Sequence, residues 1–148
     1  IGVSSVVQSA LRLHGQMMLC GQASATVAWL CLRDDLQPRT LAADPTRVRE
    51  VQRALVHGKD GPGVLLWPYH DMPPEHAAFE AINLLSVAGV WKPDADSIFF
   101  QPDREFSADE WSALLSRLPD SARLKLKAAA APKARAEAAL SAWSALGQ

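Results

Sequence analysis

Only two cysteines, Cys20 and Cys31, occur among the 148 residues, and Tyr69 is the sole tyrosine. On one helix the two thiols would lie about three turns and about 16 Å apart, too far for a disulfide. They read as buried thiols sharing a face, and no C-x-x-C spacing suggests zinc. A nucleophile elbow of the G-x-S-x-G type and a phosphate-cradling loop are both missing. So is a G-x-G-x-x-G turn after a strand, which excludes a dinucleotide-binding half within this stretch. The net charge of −1 provides no field that would gather nucleic acid. Charge is absent altogether over the twenty residues between Arg12 and Arg33, if His14 is neutral.

What is present is hydrophobic and helix-prone. Hydrophobic residues make up 49% of the chain and five are tryptophan, enough for a core. The length suits one domain or two small ones. The uncharged run R-L-H-G-Q-M-M-L-C-G-Q-A-S-A-T-V-A-W-L-C-L organises the rest. A solvated helix would show a polar stripe; this one is apolar nearly all round, which predicts burial. Gly15, Gln16, Gly21, Gln22, Ser24 and Thr26 are too many small or polar residues for a membrane span. Gly21, Ala25 and Ala28 fall on adjacent turns and permit close approach of a backbone or a flat ligand. The expected turn at His14-Gly15-Gln16 would expose N–H groups at the positive end of the helix dipole.

The pattern S-x-x-R-L-x-G-x-x-x-x-x-G-Q-A-x-x-x-x-A resembles the last flavin-contacting segment of FAD-dependent oxidoreductases of the glutathione-reductase-like and fumarate-reductase-like kinds. In these, an arginine precedes a glycine-containing turn and a small-residue helix that often reads G-Q-A-A-G. The matching residues are Arg12, the turn from His14 to Gln16, and Gly21-Gln22-Ala23. Ser24-Ala25 stands where the family often has Ala-Gly. The resemblance covers about the first 40 residues. It implies FAD as cofactor, with Gly15, Gln16, Met17 and Met18 presenting backbone donors to the flavin's pyrimidine edge. Arg12 would orient or polarise a small-molecule substrate, and His14 would share in proton transfer near the ring. Donors and a dipole at that edge would stabilise the negative charge of the reduced ring.

Further along, Arg33-Asp34-Asp35 returns to water and Gln37-Pro38-Arg39 reads as a loop. Asp44 is an N-cap and Pro45 an N1 residue for a second helix, with Val48, Val51, Leu55 and Val56 as its apolar stripe. Arg47, Arg49, Glu50 and Arg53 read as its solvated face. Gly58 and Gly61-Pro62-Gly63 end the helix and mark a boundary. Val64 to Trp67 reads as a short strand. Asp71 and two prolines precede a helix carrying Phe79, Ile82 and Leu85, capped by Gly89. His70, Asp71 and His76 lack a convincingly spaced third ligand, so no metal is expected, and Asp71 reads as a helix cap and His76 as a packing residue. Ser107 with Glu110 makes a capping box before Trp111, Leu114 and Leu115.

Asp71 to Leu118 resembles one surface-layer-homology module: a D-x-P-x-x-H-x-A-x-x-A-I helix, a G-V turn, then F-x-P-D and a second helix. The family's Thr-Arg-Ala-Glu motif is here Ser107-Ala108-Asp109-Glu110, without the cation that would meet an anionic wall polymer. The module is expected to serve as packing or assembly surface, and it leans toward an exported bacterial protein. From Pro119 the composition turns basic, with Arg123, Lys125, Lys127, Lys133 and Arg135, then alanines 128–131 and Pro132. This reads as a solvated Ala-rich tail docking through Leu140 and Trp143.

The expectation is a mainly α chain in three parts: a flavin-site segment over 1–63, a surface-layer-homology-like helical module over 64–119, and a basic helical tail over 120–148. Its function would be to complete the flavin and substrate site of an FAD-dependent oxidoreductase, inactive alone. A companion chain or segment would carry the dinucleotide-binding domain. No nucleic acid and no membrane span are expected. The alternative is a non-enzymatic helical adaptor that binds a protein partner or an anionic polymer.

Overall fold

The computed structural model describes residues 14–57, 64, 66–67, 69–92, 97–127 and 130–147. Arg12, Gly58, Gly61-Pro62-Gly63 and the first two of the four alanines lie outside them. The described residues are mainly helical, as expected. They form α1 (His14–Asp34), α2 (Pro38–Ala43), α3 (Pro45–His57), α4 (Phe79–Val87), α5 (Ala108–Leu115), α6 (Asp120–Lys127) and α7 (Arg135–Ala145). Among these residues no strand forms, only an isolated antiparallel bridge between Glu105 and Ala134. The chain divides into two compact units, 1–55 and 56–148. The segments 64–119 and 120–148 that composition separates therefore fall in one unit.

In the first unit, α1 contains no proline and few β-branched residues, so its interior is helix-compatible. Its hydroxyls are satisfied locally: Ser24 Oγ donates to the Cys20 carbonyl at 2.8 Å and Thr26 Oγ1 to Gln22 at 3.0 Å. The helix stops at Asp35, whose φ is +51°, and the Leu36 N–H reaches back to the Cys31 carbonyl at 2.9 Å. Gln37-Pro38-Arg39 is not simply a loop. Pro38 opens the short helix α2, which buries Leu41. Asp44 and Pro45 start α3 as expected, with the Asp44 carboxylate accepting from the Thr46 N–H at 2.8 Å.

The first unit's buried side chains, among the described residues, are Leu30, Cys31, Leu41, Val51 and Leu55. The expectation that α1 is buried all round fails. One face of it, with Leu30 and Cys31 buried and Ala23 and Val27 half-buried, is covered; the opposite face is exposed. Cys31 is a buried free thiol, and Cys20 is half-buried.

The second unit is built around α4, whose Phe79, Ala81, Ile82, Asn83, Leu84, Leu85 and Ser86 are all buried. This helix begins only at Phe79, later than the Asp71-Pro-Pro signal suggests. Asp71 is not its cap. Its carboxylate instead accepts the N–H groups of Phe100 at 2.7 Å and Gln101 at 2.6 Å. His76 Nδ1 accepts from the Ala78 N–H at 3.1 Å. Residues 64, 66 and 67 form no strand, because the N–H groups of Leu66 and Trp67 both go to Asn83 Oδ1, each at 2.9 Å. Asn83 Nδ2 donates to the Phe79 carbonyl at 2.9 Å, so both the oxygen and the nitrogen of this buried amide are hydrogen-bonded. Gly89, at φ +72°, closes α4: its N–H bonds to Ser86 and that of Val90 to Leu85. The Ser107–Glu110 capping box forms as expected.

The tail is not solvated. Helix α7 packs against both α4 and α6 and buries Arg135, Ala138, Ala139, Ala142 and Ala145. Leu140 is exposed and Trp143 packs on the core edge, so alanines rather than Leu140 make the docking face. Small residues let α7 approach closely, which composition alone reads as low hydrophobicity.

Candidate functional site

The candidate site is the start of α1. His14, Gly15 and Gln16 are helical, where a turn before the helix was expected. Gly15, Gln16, Met17 and Met18 are all exposed. The first turn carries no acidic side chain that would occupy its donors. Among the described residues, a Cβ at Gly15 would meet nothing within 4 Å.

Further down α1, Ala23, Ser24, Val27 and Ala28 line an open groove of about 330 Å³ together with Pro38. Among the described residues, a Cβ at Gly21 also would meet nothing within 4 Å. The far end of α1 is fixed by charge. Arg33 pairs with Asp34 and with Glu50, both at 2.6 Å, and Arg47 pairs with Asp34 at 2.6 Å and Glu50 at 2.9 Å. Hydrogen bonding from Arg33 holds both carboxyls below their usual range, with Arg47 adding to it. Arg47 and Glu50 are thus half-exposed members of a network tying α1 to α3, not an idle solvated face. The Arg33 guanidinium also sits 5.1 Å from the Trp29 ring.

Two features escape the sequence reading. The first is a row on α1, Met18-Gln22-Ala25-Trp29-Leu32, apolar except for Gln22 and exposed throughout. Its alternating four- and three-residue spacing is visible in the sequence, but the inner face of the helix masks it. The second is Arg135 in the second unit. It is buried with its guanidinium 5.0 Å from the Phe100 ring and 5.5 Å from that of Trp91, and its Nε has no hydrogen-bond partner. Burial lowers its pKa, as does the neighbouring Arg104. Nothing in the basic run around it distinguishes this arginine. Among the described residues no group of three His, Cys, Asp or Glu is placed to hold a metal. No helix there is long and apolar enough to cross a membrane.

Comparison with known proteins bears on the first unit. Residues 1–55 match the family described as FAD dependent oxidoreductase. The match ends on the last residue of the first unit. The match supports reading that unit as an FAD-dependent oxidoreductase segment with FAD as the cofactor. No curated protein and no solved structure matches the chain. The surface-layer-homology resemblance of the second unit gains no support from these comparisons.

Proposed function

We propose that the first unit completes the flavin and substrate site of an FAD-dependent oxidoreductase whose dinucleotide-binding domain lies on another segment or chain. The observation that carries this is the family match over a unit whose principal helix holds the exposed Gly15, Gln16, Met17 and Met18. FAD, when bound, supplies the hydride and electron chemistry. The chain's part is electrostatic and positional. Gly15, Gln16 and Met17 direct first-turn N–H groups and the helix dipole at the pyrimidine edge of the ring. Met18 lies beside them and shields the ring by its side chain. Arg12 orients and polarises a small-molecule substrate, and His14 exchanges a proton beside the ring. The reading places the protein near the glutathione-reductase-like and fumarate-reductase-like flavoproteins.

Residues 64–119 and 120–148 serve in this reading as an appended helical module and tail that provide packing or assembly surface. A net charge of −1 makes nucleic acid an unsuitable partner. The test is visible absorption and mass spectrometry of the purified assembly. Flavin bands with a companion segment bearing the dinucleotide fold support the proposal, as does loss of turnover in Arg12→Ala with flavin retained. A colourless assembly that never takes up FAD overturns it.

A further inference from the structure

We draw no further inference here: the strongest candidate, an anion site at the buried Arg135 guanidinium between the Phe100 and Trp91 rings where α7 begins, restates the wall-binding arginine of surface-layer-homology modules, since the start of that helix reads A-R-A-E.

Discussion

Trp29 and Leu30 are neighbours on α1, yet Trp29 is 51% exposed and Leu30 1% exposed. A 100° step around the helix separates the surface that holds the first unit together from an exposed one. The two residues therefore have different consequences when truncated. Leu30→Ala should destabilise the first unit by about 2–4 kcal/mol through a cavity. Trp29→Ala should change its stability by no more than about 0.5 kcal/mol. Chemical denaturation of the two variants separates these effects.

The network of Arg33, Asp34, Arg47 and Glu50 makes the attachment of α1 to α3 sensitive to acid and salt. Both carboxyls have folded-state pKa values below their ordinary ones. Their contribution is present above the unfolded value of about 4 and is lost as pH falls through the lower folded value. Urea midpoints should drop below about pH 4, and Asp34→Asn should flatten that part of the profile. Added salt should reduce the wild-type midpoint at neutral pH more than that of Asp34→Asn.

Arg135 lies between Phe100 and Trp91 with its Nε unmatched. An apolar chain of similar length removes that unmet donor and keeps the packing. Arg135→Met should be neutral or stabilising by about 1 kcal/mol. Arg135→Ala should cost about 2–4 kcal/mol by leaving a cavity beside two rings. Thermal unfolding of the two variants decides the matter, and equal losses in both would show that the charge itself is needed.

Asn83 joins the segment before α4 to the helix by accepting two N–H groups and donating to a third residue. Asn83→Ala leaves two backbone donors unmet, each costing about 1–3 kcal/mol. The variant should show faster amide exchange at Leu66 and Trp67 as well as lower stability.

Local signals in the sequence were the readable ones. Asp44-Pro45, Ser107 with Glu110, and Gly89 each act within one turn of their own helix, and each formed as the residues suggested. Long-range partners were not readable. Asp71 has the right chemistry for a cap, but its partners lie about thirty positions away at Phe100 and Gln101. The alanines of α7 look like a soluble tail because alanine carries little hydrophobic signal; their small size is what lets the helix enter the core. At the candidate site, the family resemblance and the helix were legible. That the helix has one covered and one open face was not, because both faces are apolar and only packing distinguishes them.

The central claim is that the first turn of α1 directs backbone donors at the flavin. Gly15 allows a paired test, since a Cβ there meets none of the described residues within 4 Å. Gly15→Ala keeps the N–H, whereas Gly15→Pro removes it and is tolerated in a first turn. A donor to a charged ring oxygen or nitrogen contributes about 1.5–3 kcal/mol, or about 30–60 mV for a two-electron couple. The measurement is the reduction potential of the bound flavin in the two variants. The account predicts that Gly15→Pro lies lower than Gly15→Ala by that amount; identical potentials in the two, with flavin bound in both, would contradict it.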